Sequence, residues 1–461
     1  MNNYKKGDDL KPIKKILPQL AFCFGLVFFS VLYGMSAQQG KLFPYYQLRS
    51  AALSAIAVMQ HFTAAFTWYL HKTDQAKQVA YLNEDAMEPG LTKIVNVGKN
   101  ATLSVKVIDG KGKVYQDWHI DWFKVWPKKP AYLTDYEAPK SRPGTHVHGA
   151  VILPDGDLIF NFEHLAMVRM DACGNVKWRL PFRTHHSIFR DDDGNLWAPG
   201  QIDRDKPRTD MPFYGANYVE PYIVKVSPQG KILLKKSLID LLKANDQEGA
   251  LYATTTRNFE PLMLGDAYVP ADTLHLNNVE IFSKNMKPGF FTPGDILISL
   301  RNINSIMVFS PDWKLKFKST FNFVRQHDPD FVDGNHIAVF DNNNTVKEDN
   351  PAGQSRIVMI TAPSGEQHVV FSGTKARPFY TDIMGTEQWL PNGNLLLAET
   401  RKGRVLELDH AGNTVWDYYN IIKPGLVGIV EGAQRLPVSY NADFFANARK
   451  QCTHTNNNKT Q

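Results

Sequence analysis

The chain has 461 residues, of which 43% are hydrophobic, 12% aromatic and 21% charged, so it holds enough apolar material for a sizeable core and is not a largely disordered chain. Its formal charge of +6 forms no basic stripe: half of it comes from Lys5, Lys6, Lys11, Lys14 and Lys15 set against Asp8 and Asp9, which argues against a nucleic-acid partner. Three cysteines without a CxxC exclude a disulfide framework and a thiolate zinc site.

The chain opens with a basic segment, residues 1–15, read as cytoplasmic. Residues 16–34 follow, ILPQLAFCFGLVFFSVLYG, with no charge and about the length needed to cross ~30 Å of hydrocarbon. The lysines before this run orient it with the N-terminus inside and the remainder outside. An uncleaved single-pass anchor in an inner membrane is the expectation, and a cleaved signal peptide is its rival because Ser36-Ala37 offers small residues. Residues 35–97 are read as a helical stalk or linker. Its apolar stretch Ala51–Leu70 is interrupted by Gln60 and His61, which suits a helix packed on the domain or lying at the membrane surface.

From residue 98 to 450 the texture is short alternating apolar runs between Gly, Asn, Asp and Pro turns, the strand-and-hairpin signal. One pattern recurs. Its copies open at Thr145, Thr184, Leu274, Gln326 and Gly385, and the clearest reads Gly385–Leu397 followed by Arg404–Trp416. A sixth opening, Val430–Pro437, stops soon after it begins, whereas Ala101–Tyr115 supplies outer strands without an opening one. Together they make one shared unit, as ring closure of a β-propeller requires. The expected fold is therefore all-β, a six-bladed β-propeller preceded by the transmembrane helix and stalk. An insertion at about Ser237–Asp272 includes an amphipathic-looking stretch, Leu238–Lys243. The polar residues 451–461 are read as a disordered tail. Cys173, in the turn Asp171–Asn175, could pair with Cys452, but three unpaired cysteines are the simpler expectation.

Aligning the repeat openings puts His146, His185, His275 and His327 at one position, with Thr386 in the fifth copy and His148 and His186 close by. The fold would aim these residues at one pocket. A lone histidine in a strand is usually a satisfied semi-buried residue, but four at one repeat position favour a functional site. Two chemistries fit. Neutral imidazoles can bind Zn, Cu or Fe; alternatively one imidazole is a nucleophile while others, with Arg301, Asn277 and Asn278, hold an anion. An arginine among imidazoles repels a divalent cation and attracts an anion, which favours the second chemistry if Arg301 faces the pocket.

At these residues the chain resembles the bacterial arylsulfotransferases, six-bladed propellers that work without the nucleotide sulfate donor. The similarity runs from about Ala101 to Phe445 and rests on His275-Leu-Asn277 with Ser299-Leu-Arg301, on Gln326-His327 with Val339–Asn342, and more loosely on Thr184-His-His186. The resemblance implies that His327 accepts the sulfuryl group. It also implies that His275, Asn277 and Arg301 bind the sulfuryl oxygens, that His185 or His186 completes the anion pocket, and that Thr386 matches a family threonine. His146 and His148 are added to the substrate-contacting set without an assigned role. The expected reaction moves a sulfuryl group from an aryl sulfate to a phenol through a sulfohistidine, with no cofactor and no metal, in the periplasm or on the extracellular side; a homodimer is one option for assembly. Two other readings share the scaffold: a metal-dependent enzyme using the histidine cluster, and a non-catalytic ligand-binding propeller.

Overall fold

The computed structural model describes residues 11–40, 43, 48, 51–52, 68–135, 137–211, 218–254, 272–345 and 354–457. One helix, Lys11–Gly40, opens it, and its segment Pro18–Ala37 is long and apolar enough to cross a membrane. Most apolar side chains of that segment are exposed, Phe22, Phe24 and Phe29 at 68%, 72% and 69%. A helix hydrophobic all round and unburied in protein suits lipid rather than water.

The rest of the described chain is mostly antiparallel β. Four sheets have the same plan of four strands in sequence order. The first is Val147–Ile152, Leu158–Phe162, Ala166–Met170 and Val176–Leu180, and the second is Phe189–Arg190, Leu196–Arg204, Tyr218–Val226 and Ile232–Ser237. The third is Leu276–Ile281, Ile296–Leu300, Ser305–Phe309 and Leu315–Thr320, and the fourth is His327–Asp333, His336–Asp341, Arg356–Thr361 and Glu366–Ser372. The fifth, Thr386–Trp389, Leu395–Glu399, Arg404–Leu408 and Thr414–Tyr419, gains an outer fifth strand, Val79–Leu82. The sixth joins the two ends of the domain: Val430–Arg435 pairs with Thr92–Val97, followed by Leu103–Ile108 and Val114–Ile120.

Strand residues alternate between two buried faces, as the period of two requires when both sides are covered. In Leu395–Glu399, Leu395 and Leu397 pack against the fourth sheet, while Leu396 and Ala398 pack against the sixth. The outermost strands are partly exposed, as in Glu366–Ser372 and Val79–Leu82. Separate apolar clusters lie between sheets one and two, two and three, three and four, four and five, five and six, and six and one. Hairpin turns are glycine-dependent; Gly393 sits at φ +84°, and a Cβ there would also strike the His410 ring.

Several boundaries differ from the sequence reading. The sheets begin before residue 98, because Thr92–Val97 is a fully buried strand and Val79–Leu82 is a fifth-sheet edge. The stalk is not helical where it is described near the domain: Leu70–Lys72 is a strand paired with Leu426–Gly428, and Leu70 lies in the core. The centre of Ala51–Leu70, residues 53–67, lies outside the described residues. Residues 451–457 are not a disordered tail but the end of a helix, Ala442–Asn457, which packs Phe445 into the core between sheets six and one; residues 458–461 lie outside the described residues. Cys173 and Cys452 form a disulfide that pins this helix to a turn of the first sheet, against the expectation of unpaired cysteines. Cys23 is free. In the insertion, Leu238–Lys243 is a helix capped by Ser237, burying Leu238, Ile239, Leu241 and Leu242; residues 255–271 lie outside the described residues.

Candidate active site

Of the histidines predicted to converge, all but His146 gather around His186. Ring centroids lie 4.3 Å away at His148, 4.9 Å at His275, 5.0 Å at His185 and 6.3 Å at His327. His146 stands aside, against Trp68 and Tyr69 at 5.2 and 6.4 Å, with Nε2 3.9 Å from a Glu431 carboxylate oxygen. His164 was not foreseen. It lies in the turn between the second and third strands of the first sheet, away from the repeat position, with its ring 4.5 Å from His185. Glu163 and Asp272, which bind these imidazoles, were also missed. His164, His186 and His275 all have left-handed backbones, φ +55°, +52° and +53°. Such conformations cost about 1–3 kcal/mol each for non-glycine residues and concentrate at functional sites.

His327 opens the fourth sheet, fully buried, and its tautomer follows from its neighbour. Asn342 donates from Nδ2 to the Thr381 and Met384 carbonyls at 3.0 and 2.7 Å, so its Oδ1 faces His327 Nδ1 at 2.7 Å and accepts from it. The Nε2 lone pair remains, receiving only a long 3.3 Å bond from the Met384 N–H. Burial first, and then the Arg301 charge, hold this imidazole well below its usual pKa and hence neutral.

Arg301 follows the second strand of the third sheet and donates its backbone N–H to the His275 carbonyl at 3.1 Å. Burial draws its guanidinium down to about 10, still charged at neutral pH. His275 donates from Nδ1 to Asp272 at 2.5 Å, and burial lowers its pKa against the pull of that carboxylate. Gln326 ties two motifs together: its Nε2 donates to Ser299 Oγ and to the Ser305 carbonyl, both at 3.0 Å, and its carbonyl accepts from Asn277 Nδ2 at 2.8 Å. Asn277 Oδ1 is buried without a partner. Burial also lowers His185 and His186 well below the usual imidazole range.

A cavity of about 420 Å³ adjoins His327 and is also lined by Asn277, His148 and Thr386. His275 and Arg301 do not line it. The cavity wall is acidic. Burial pushes Asp328 up to about 6 and Glu280, Asp330, Glu387 and Glu431 well above the carboxylate range, and draws Lys93 down to about 8. Thr386 uses its hydroxyl to bridge strands, accepting from the Ala433 N–H at 3.2 Å.

Comparisons with known proteins agree with this site in one respect. No curated protein matches the sequence. Among solved structures, a protein of unknown function from Bacteroides caccae is 12% identical, with 75% of this chain and 98% of that chain covered and a TM-score of 0.45. A streptogramin B lyase is 12% identical over 77% and 88% at 0.37, and an inactive virginiamycin B lyase from Staphylococcus aureus with quinupristin is 12% identical over 77% and 89% at 0.35. These likenesses are too distant to carry an argument. A family profile described as arylsulfotransferase (ASST) matches residues 149–421, more than half of the chain, and takes in His185, His275, Arg301, His327 and Thr386. The chain belongs to the arylsulfotransferase family.

Proposed function

We propose that this protein transfers a sulfuryl group from an aryl sulfate to a phenol through His327, on a six-bladed β-propeller held at the outer face of a membrane. The observation that carries the reading is the Asn342–His327 pair, which leaves a neutral buried imidazole whose Nε2 lone pair is held only by the long 3.3 Å bond from the Met384 N–H and can turn to attack. In the first half-reaction Nε2 attacks sulfur, the N–S bond forms, and the S–O bond to the aryl group breaks with the phenolate taking the electron pair. In the second, the acceptor phenol oxygen attacks sulfur, its proton goes to a base, and the N–S electrons return to the imidazole.

Arg301 and Asn277 would hold the sulfuryl oxygens, whose charge grows more diffuse in flight, so placed donors dominate the catalysis; His275, its Nδ1 proton given to Asp272, would position Arg301 through its backbone carbonyl. The acceptor suits the cavity beside His327. Burial raises the pKa of the carboxyl groups in its wall, which makes that cavity more tolerant of a neutral phenol than of a second anion. His148 lines it, with Nδ1 held by Glu163 at 3.1 Å and Nε2 left to take the acceptor proton. His186 or His185 at the centre would complete the anion pocket, and Thr386 would hold the wall.

The cyclic order of apolar clusters and the sixth sheet shared by both ends support a closed six-bladed ring. The apolar N-terminal helix, the lysines before it and the Cys173–Cys452 disulfide support a domain outside the cytoplasm. The test is transfer from a chromogenic aryl sulfate to an added phenol, with release of coloured phenol depending on the acceptor. Protein that binds the sulfate ester but never releases phenol would be a binding protein instead.

A further inference from the structure

Glu163, His164, His185 and His186 each bring one ligand atom to within 4.8 Å of the others. Glu163 Oε1 lies 2.9 Å from His164 Nε2 and 3.3 Å from His186 Nδ1, and His186 Nδ1 lies 2.8 Å from His185 Nδ1. Hydrogen bonds further out fix where the protons are. Gln201 donates from Nε2 to Asp203 at 2.8 Å, so its Oε1 faces His164 Nδ1 at 2.7 Å and must accept from it. Against the effect of burial, the Glu163 carboxylate raises the His164 pKa; without a second proton, His164 has a bare lone pair on Nε2 that points at a carboxylate oxygen.

His186 meets the same difficulty from the other direction. Asp272 takes the Nδ1 proton of His275, so His275 Nε2 is an acceptor. It faces His186 Nε2 at 3.3 Å, which therefore donates and leaves His186 Nδ1 bare. Lone pairs of His164, His186 and Glu163 thus converge, with His185 Nδ1 beside them. Protons can relieve this, with His185 Nδ1–H donating to His186 and a second proton on His164 facing Glu163, and so can one metal ion bound by all four groups.

We infer that Glu163 Oε1, His164 Nε2, His185 Nδ1 and His186 Nδ1 form a four-coordinate site for a divalent transition metal of the zinc class. A tetrahedron of zinc with 2.0–2.1 Å bonds has ligand-to-ligand edges of about 3.4 Å, and the three separations here, 2.8 to 3.3 Å, need only a small expansion. Three imidazoles and a carboxylate are ligands of that class. Gln201 behind His164 and the Asp272–His275 pair behind His186 supply the outer shell that sets tautomer and ring orientation at metal sites. Four protein ligands leave no open position, so the metal would hold His186, and through it His275, in place rather than meet substrate. Glu163 offsets its charge beside Arg301. His185 and His186 would then act as ligands and not as direct contacts to the sulfuryl oxygens. The inference does not depend on sulfuryl transfer: a sulfohistidine at His327 could form whether or not this site holds metal.

The test is metal content of the full chain in detergent, loaded with zinc and dialysed into metal-free buffer, then with cobalt(II). One tightly held zinc per chain is expected, together with the strong visible absorption of tetrahedral cobalt(II). His164→Asn and Glu163→Gln should weaken zinc retention by about 10–100-fold or more, while His146→Asn, which alters the neighbouring His146–His148–Glu431 group, should leave it unchanged. Native protein that keeps no zinc and gives no tetrahedral cobalt spectrum would overturn the inference, since His164 would then carry a second proton as an imidazolium paired with Glu163. Zinc lost in His146→Asn but kept in His164→Asn would overturn it equally.

Discussion

Asn342 fixes the proton of His327. The amide cannot turn, because both of its N–H bonds are held by the Thr381 and Met384 carbonyls, and so its oxygen takes the Nδ1 proton at 2.7 Å. Every step assigned to His327 depends on that relationship, since the opposite tautomer would present a proton where an electron pair is needed.

Asn342→Asp tests the relationship through pH. The native imidazole is held well below its usual pKa by burial, so nothing at His327 should depress activity between about pH 6.5 and 8. A carboxylate in place of the amide favours the imidazolium and raises that pKa. The variant should therefore lose activity progressively as pH falls across a range where the native enzyme is flat, with a loss of about 10-fold or more at neutral pH.

Arg301 is expected to act in the transition state. Arg301→Gln should lower kcat/KM for an aryl sulfate by about 10²–10³-fold, the usual cost of removing a preorganised donor. Arg301→Lys should recover little, because a point charge does not replace the fork. Steady-state kinetics with a chromogenic donor measure both.

Asp328 gives a stability prediction with a definite sign. Its folded pKa is raised to about 6 by burial, in a cavity it shares with Glu280, Asp330, Glu387, Lys93 and His148. The folded state therefore binds more protons than the unfolded state between about pH 4 and 6, and stability falls as pH rises through that window. Asp328→Asn keeps an oxygen for the Glu387 N–H, now 2.9 Å away, and removes the titration. Melting curves should show the variant gaining on the native protein at pH 8 and losing that advantage at pH 4.5.

The disulfide is expected to stabilise without serving the chemistry. Cys173 and Cys452 join residues 279 apart and fasten the helix Ala442–Asn457 to a turn of the first sheet, neither of which lines the cavity at His327. Replacing both by serine should cost about 2–4 kcal/mol, lowering Tm while leaving kcat at moderate temperature unchanged.

How much of this was legible in the sequence depended on whether local signals repeat. Strand–turn–strand units with D/N-G turns recur, so the sheets and the shared sixth unit could be read along the chain. His146, His185, His275 and His327 could be aligned because each precedes or opens an inner strand. Thr92–Val97 was taken for linker: its strand has no D/N-G turn ahead of it, and Lys93 and Asn96 look exposed until Lys93 is seen bonded to the Gln434 side chain. Val79–Leu82 belongs to an edge that only tertiary contact defines. Glu163 and His164 lie in a turn outside the repeat register, and no local pattern reports that a left-handed His164 turns its ring towards His185. The Cys173–Cys452 pair could be named but not chosen, since its 279-residue separation leaves no local trace.

The most direct test of the central claim is the covalent intermediate. The full chain is mixed with an aryl sulfate without acceptor, quenched rapidly in alkali, and examined by intact mass and peptide mapping. The account predicts one sulfuryl group per chain on the peptide carrying His327, discharged on adding phenol and absent in His327→Ala. A sulfuryl group on another residue, or steady transfer by His327→Ala, would contradict it.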